Sequence, residues 1–365
     1  MHIVVIGTRG IPEIQGGVET HCQELYPRIV ELGHNVTIIR RKPYVTDSNR
    51  ITEYKGVGLT DVYAPKQKSL EAIVHTFLAV IKARRLKADV LHIHAIGPAL
   101  MAPFARMLGM KVVMTNHGPD YDRQKWSYPA KAMLKLGERL GTRFSNNVIV
   151  ISRVIADILS TRYGRTDTRL IFNGVSRPTK SVRTDYIKSL GLEPKKYIVA
   201  VGRFVKEKGF HDLIEAFAQI HDSYPGYHLA IAGDADHPDQ YSTELKERAH
   251  KLDVVLTGFI RGEKMNQLMT NAALFVIPSY HEGLPFSLLE AMSYNLDVIA
   301  SDIPANKLEC LAPDDYFKTG DVKHLADKVS TRLDRGYRSR TYDLSAYDWN
   351  HIARQTENVY TQTAK

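Results

Sequence analysis

Short runs rich in Val and Ile alternate along this chain with segments of helical period, and that alternation restricts the fold more than any other feature. Residues 2–7, 35–40, 89–95, 111–117 and 147–152 read as strands, with helices expected at 18–32, 69–86, 98–108, 127–144 and 153–163. Strands that are apolar on both faces belong to parallel sheets covered by helices, so this βαβ rhythm predicts a doubly wound α/β unit. After a less regular stretch over 176–194 the rhythm restarts, with strands at 197–202, 228–233, 254–258, 273–277 and 297–301 and helices at 210–221, 241–252, 263–271 and 285–294. A last helix, 349–363, has no strand after it. A chain of 365 residues accommodates two domains of roughly 100–200 residues each. The expectation is an α/β fold with two Rossmann-like domains, 1–175 and 176–345, followed by a terminal helical segment, 346–365.

Charge is uneven between the two halves. Through Asn173 there are 25 Lys and Arg against 14 Asp and Glu, and beyond it 24 against 26. A basic first half suits nucleic acid, anionic lipid or a phosphorylated substrate, and charge alone does not choose among them. No nucleic-acid module and no basic run interleaved with aromatics is present, so nucleic acid is not an expected partner. The longest uncharged apolar stretch, 94–105, is far short of the ~20 residues of a membrane span. The first residues pass straight into a strand, without the pattern of a signal peptide. Cys22 and Cys310 lack metal or redox spacing, which points to a reducing, cytoplasmic setting.

Chemistry concentrates in the stretch 278–292, Pro-Ser-Tyr-His-Glu-Gly-Leu-Pro-Phe-Ser-Leu-Leu-Glu-Ala-Met. Pro285 has its φ preset for a first helical turn, so Glu282 falls just before a helix and Glu290 inside it. Free N–H groups around Gly283, Leu284 and Phe286 face an anion site at the positive end of the helix dipole. Two acids beside such a site would repel bare phosphate but accept hydrogen bonds from sugar hydroxyls, so a sugar phosphate or nucleotide sugar fits better. Spacing alone fits equally a capped helix bearing two solvated acids.

Other strand ends add candidates. The turn Gly202-Arg203-Phe204-Val205-Lys206-Glu207-Lys208-Gly209 sets Arg203 and Lys208 on either side of one strand-to-helix connection, a sensible clamp for a diphosphate. Gly16 and Gly17 precede a helix start; the first loop lacks the Gly-x-Gly-x-x-Gly fingerprint, and Arg40, Arg41 and Lys42 stand where a ribose-binding acid would be, so dinucleotide binding is disfavoured. Strand 111–117 delivers His117 to the sheet edge, with Asp120, Tyr121, Asp122 and Arg123 on the loop that follows. Asp120-Tyr121-Asp122 and Asp234-Ala235-Asp236 are read as ordinary loop tripeptides, not as metal sites. Helix 127–144 carries a basic stripe of Lys131, Lys135, Arg139 and Arg143 and an expected apolar face of Met133, Leu136, Leu140 and Phe144; the stripe is either a solvated face or a surface for anionic lipid.

Taken in order, Gly-Gly-x-Glu at 16–19, His117-Gly118, the Arg203/Lys208 turn, the pair Glu282 and Glu290 seven residues apart, and the closing Tyr347-Asp348-Trp349 helix resemble glycosyltransferase family 4. The opening Gly-Thr-Arg-Gly-Ile-Pro at 7–12 is similar to a subgroup that includes rhamnosyltransferases of polysaccharide assembly. The resemblance implies a GT-B fold, with two Rossmann-like domains facing each other across a cleft and the last helix crossing back to the first. It implies retaining transfer of a hexosyl or deoxyhexosyl group from a nucleoside diphosphate sugar to a saccharide or lipid-linked saccharide, with no cofactor and no metal. Under it, Gly16, Gly17, Arg203, Lys208, Gly283 and Leu284 hold the diphosphate, Glu290 the ribose, and Phe259 and Ile260 the nucleobase region. His117 and Glu282 act at the transferred sugar, and Asp120, Tyr121 and Arg123 meet the acceptor. The first domain then takes the acceptor and the second the donor; the expected setting is cytoplasmic, and the basic stripe makes the inner face of the cell membrane an alternative surface for it. A nucleotide-sugar epimerase of the same fold, and a basic nucleic-acid-binding protein, are the competing readings.

Overall fold

The computed structural model describes residues 1–365 apart from 15, 66–67, 120, 122–126, 236–237 and 284, together with the side chains of 48 and 68–70. Asp120, Asp122, Arg123, Asp236 and Leu284 therefore lie outside the described residues. The chain forms two compact units, Met1–Gly174 with Ser345–Lys365, and Val175–Leu344.

In the first unit the strands are β1 (His2–Ile6), β2 (Asn35–Arg41), β3 (Glu53–Tyr54), β4 (Val57–Val62), β5 (Val90–His94), β6 (Val112–Asn116), β7 (Asn147–Val150) and β8 (Arg169–Leu170). They make one sheet in the order β3-β4-β2-β1-β5-β6-β7-β8, parallel except for the β3–β4 pair. Its helices are α1 (Gly17–Glu31), α2 (Lys68–Arg85), α3 (Ala102–Met107), α4 (Tyr128–Phe144) and α5 (Arg153–Tyr163). The single helix expected over 98–108 divides into a 3-10 turn, Pro98–Met101, and α3. Pro103 has no N–H to donate and is accommodated only in the first turn of a new helix.

The second unit begins with α6 (Asp185–Ser189) and continues with β9 (Tyr197–Val201), α7 (Phe210–Ile220), β10 (His228–Ala232), α8 (Gln240–Lys251), β11 (Val255–Gly258), α9 (Gly262–Asn271), β12 (Leu274–Ile277), α10 (Phe286–Ser293), β13 (Asp297–Ser301), β14 (Tyr316–Phe317) and α11 (Val322–Asp334). Its parallel sheet runs β11-β10-β9-β12-β13-β14. The sequence reading omits α11, although Leu325, Ala326, Val329 and Leu333 recur at helical spacing behind the Asp321 cap and are buried.

The last helix, α12 (Trp349–Ala364), packs back on the first unit. Trp349, Ile352, Val359 and Tyr360 join one apolar cluster with Ile3, Val5, Cys22 and Leu25. Neither sheet follows chain order. β1 lies between β2 and β5, and β9 between β10 and β12, so strand order reverses beside each of them. A reversal leaves a crevice at the carboxyl ends of the strands, where open α/β sheets bind ligands. Both sets of candidate residues sit at these edges.

Candidate active site

In the second unit, β9 and β12 are neighbours, which brings the turn after β9 against the loop after β12. Phe204 and Phe210 are both buried, their rings 5.9 Å apart, and they pin the two ends of the turn that carries Arg203 and Lys208. Gly209 adopts a φ of +66°, and a Cβ there would lie 2.1 Å from the Pro278 carbonyl oxygen, so only glycine permits this approach. Tyr280 N donates to Glu207 O at 2.8 Å and laces the two segments together. Across this junction Lys208 Nζ meets Glu282 Oε1 at 2.6 Å, and Ser279 Oγ donates to the same oxygen at 2.6 Å. Glu282 is thereby fixed by a hydroxyl and an ammonium, both attached to short, well-anchored backbone.

Gly283 and Pro285 lead into α10, whose first N–H groups are unpaired within the helix and create a positive end. Glu290 lies in the helix, as its spacing from Pro285 predicts. It is solvent-accessible, yet the surrounding protein desolvates the carboxyl and pushes its pKa up to about 7, a shift that the reachable water tempers. At the end of β11, Phe259 is half exposed with the Arg261 guanidinium 4.6 Å from the ring centre, while Ile260 is buried. Asp234 is engaged by Lys246 at 2.7 Å and by the Ala235 N–H, so its carboxylate serves the loop.

In the first unit, Gly16 precedes α1 and Gly17 begins it. Gly16 lies against the carboxylate of Glu19, whose Oε1 accepts from Arg9 N at 2.9 Å and from Thr8 Oγ1 at 3.2 Å. The glutamate of Gly-Gly-x-Glu thus shapes its own loop. Asn116, at the end of β6, donates from Nδ2 to the buried Glu138 at 3.1 Å and accepts from Gly118 N at 2.9 Å, which sets the position of His117 between them. Glu138 also accepts from the hydroxyls of Tyr121 and Tyr163, at 3.0 and 2.9 Å. Tyr121 is only 2% exposed, and its oxygen also accepts from Arg162 Nη1 at 2.8 Å. It supports the loop from within.

His117 does not stand alone. His94 Nδ1 and His117 Nε2 are 2.9 Å apart, and Tyr26 OH bridges His94 Nε2 and His92 Nδ1. His92 in turn contacts Tyr360 OH on α12 at 2.6 Å and Thr115 Oγ1 at 2.7 Å. His21, on α1, places its ring 5.1 Å from His117 and 5.4 Å from His94. Burial lowers the pKa of His21 to about 4 and that of His92 to about 3, and holds His94 and His117 well below the usual imidazole value, so all four are neutral at pH 7. The sequence reading names His117 but not its partners. His92 and His94 had a readable signal, since residues two apart in a strand share a face.

Two family models match the chain: one described as Glycosyltransferase Family 4 over residues 15–177, and one described as Glycosyl transferases group 1 over residues 182–344. An uncharacterized glycosyltransferase of Methanocaldococcus jannaschii is 26% identical, over 99% of this chain and 98% of its own. A putative teichuronic acid biosynthesis glycosyltransferase of Bacillus subtilis is 25% identical, over 78% of this chain and 76% of its own. Among solved structures, Anabaena HepE in complex with UDP superposes with a TM-score of 0.75 at 20% identity, over 99% of both chains. Sucrose-phosphate synthase of Thermosynechococcus elongatus superposes with a TM-score of 0.81 at 22% identity, over 99% of this chain and 98% of its own. These likenesses show that the fold is GT-B.

Proposed function

Because the chain belongs to glycosyltransferase family 4, we propose that it moves a hexosyl or deoxyhexosyl group from a nucleoside diphosphate sugar to a hydroxyl of a saccharide or lipid-linked saccharide. The observation that carries this reading is the contact of Lys208 with Glu282 at 2.6 Å, on the turn that also bears Arg203. A diphosphate competes with Glu282 for the ammonium and attracts the Arg203 guanidinium and the N-terminus of α10. As it draws Lys208 away, an oxygen of Glu282 becomes available to a hydroxyl of the transferred sugar. Glu290 then accepts from the ribose, and Phe259 offers its exposed ring to the base.

Negative charge builds on the departing diphosphate as the glycosidic bond breaks. Arg203, Lys208 and the helix terminus supply positive charge there without a metal or other cofactor. His117 contributes from the first unit as a neutral group, by position and by its backbone carbonyl. The acceptor hydroxyl attacks from the side the diphosphate leaves and gives its proton to the departing phosphate oxygen, so the product keeps the donor's anomeric configuration. UDP and UDP-glucose complexes of HepE support a nucleotide-sugar donor, and the teichuronic acid relative supports a role in surface polysaccharide synthesis.

A second observation extends the reading to the membrane. On α4, Lys135, Arg139 and Arg143 are exposed along one face together with Tyr128 and Leu136, the tyrosine 87% exposed, and Phe144 is exposed at the end of the helix. Cations interleaved with apolar side chains suit an anionic lipid surface and a lipid-linked acceptor. No helix among the described residues is long and apolar enough to cross a membrane. The enzyme in this reading is cytoplasmic and peripheral on the inner leaflet. The nucleic-acid reading loses support, because Arg40 is buried with Asp61 at 2.7 Å and Arg41 is paired with Glu71 at 2.8 Å.

The test is a panel of nucleoside diphosphate sugars, with and without saccharide acceptors, in the presence of EDTA. Release of nucleoside diphosphate that depends on acceptor supports the proposal. An isomerised nucleotide sugar formed without acceptor makes the protein an epimerase, and rescue by Mg²⁺ or Mn²⁺ makes the metal-free mechanism wrong.

A further inference from the structure

We propose that His21, His94 and His117 form a binding site for a borderline-soft divalent cation, Zn²⁺ foremost. The three rings each offer one nitrogen, and these nitrogens lie within 4.8 Å of one another. They come from α1, the end of β5 and the loop after β6, all within the first unit. Tetrahedral zinc with Zn–N of about 2.0–2.1 Å requires nitrogens about 3.3 Å apart, so the rings need to close by no more than about 1.5 Å. Ring rotation on three separate elements can supply that movement.

Two further observations point to a missing ligand at this place. His21 Nδ1 is buried without a hydrogen-bond partner, and the residue is 4% exposed. Asn173, also fully buried, is the polar side chain that acts on the His21 ring, in a contact that falls short of hydrogen-bond geometry. Buried polar atoms are nearly always satisfied, and an imidazole nitrogen whose polar neighbour stands outside hydrogen-bond geometry marks a position that a metal ion and its bound water would complete. Donor chemistry agrees: three neutral imidazoles with one open position suit Zn²⁺, whereas Mg²⁺ and Ca²⁺ require oxygen ligands.

The ring environment is also prepared for coordination. His94 Nδ1 and His117 Nε2 now share a proton across 2.9 Å. A cation replaces that proton if His94 carries its N–H on Nε2, where Tyr26 OH accepts it, and Tyr26 OH in turn donates to His92 Nδ1 at 3.0 Å. The proton shifts within the network, and none need leave it. Tyr26 thus serves as the orienting partner that ligating histidines usually have.

Binding is measured on the full-length protein by competition with a chromogenic chelator, independently of any transfer assay. One equivalent of Zn²⁺ is expected to bind saturably, with Mg²⁺ and Ca²⁺ failing to compete. Co²⁺ is expected to give the intense visible bands of a four-coordinate ion. His21→Ala should abolish stoichiometric binding, and Tyr26→Phe should weaken it about 10–100-fold. Absence of a saturable equivalent in the wild-type protein, or unchanged affinity in a folded His21→Ala variant, overturns the proposal. Octahedral Co²⁺ spectra in the wild-type protein overturn it even where a variant fails to fold.

Discussion

Lys208 is held by a carboxylate that a bound diphosphate must displace or share, and this makes the two residues energetically inseparable. Arg203→Ala and Lys208→Ala should each lower kcat/KM about 10²–10³-fold, the scale of one removed transition-state donor. Made together they should cost less than the sum of the single losses, because both serve one diphosphate. A cycle of Lys208→Ala and Glu282→Gln should depart from additivity by about 0.5–3 kcal/mol, read from kcat/KM; strict additivity would mean that the contact has no part in turnover. Glu290 carries a pH signature of its own. Desolvation by the surrounding protein raises the pKa of its carboxyl, so it completes its ionisation at a higher pH than a free glutamate does. Ionised, it offers more lone pairs to ribose hydroxyls, so donor KM should fall as pH rises from 6 to 8. That dependence should flatten in Glu290→Gln, and parallel profiles for the two enzymes would remove Glu290 from the donor site. The placement of Arg203 and Lys208 about one turn, and of Glu282 before α10 and Glu290 within it, was legible from spacing. The bond from Lys208 to Glu282 was not, because it spans 74 residues and exists only because β9 lies beside β12.

Helix α4 shows why an element can be legible while its orientation is not. Its ends agree with the sequence reading, but the expected apolar face of Met133, Leu136, Leu140 and Phe144 is not the buried one. Leu134, Gly137, Glu138, Gly141 and Thr142 face inward instead. Gly137 and Gly141 lack side chains and so contribute nothing to an apolar pattern, yet they let the backbone approach Ile96 and Met114 closely. Glu138 is tolerated there because Asn116, Tyr121 and Tyr163 satisfy it. The inversion leaves Leu136 and Phe144 outward beside Lys135, Arg139 and Arg143. Reversing those three charges to Glu should weaken partition to anionic vesicles by ~3 kcal/mol or more, about 100-fold, at ~1 kcal/mol per cation. Co-sedimentation should also fall with added salt. Equal binding to neutral vesicles, or binding unchanged by the reversal, would contradict a membrane role for this face.

On the scale of the whole chain, one unit is continuous and the other is closed by the chain's end. The βαβ rhythm made both sheets legible, but where α12 packs depends on an apolar stripe whose partner surface lies over 300 positions earlier, as the pairing of His34 with Glu357 at a separation of 323 shows. Trp349 is 4% exposed and lies on Gly174 and near His21. Trp349→Ala should cost about 3–5 kcal/mol in the first unit. Denaturant titration should show that loss while nucleotide binding persists, because Arg203, Lys208, Glu282 and Glu290 all belong to the second unit. The second unit, on this reading, binds a nucleoside diphosphate through the clamp at Arg203 and Lys208. Isothermal titration of UDP, ADP, GDP and dTDP into the wild-type protein and the two alanine variants tests it most directly. At least one of these nucleotides should bind one-to-one in the presence of EDTA, at least tenfold more weakly in either variant. Binding of none of them, or equal binding by wild type and variants, would contradict it.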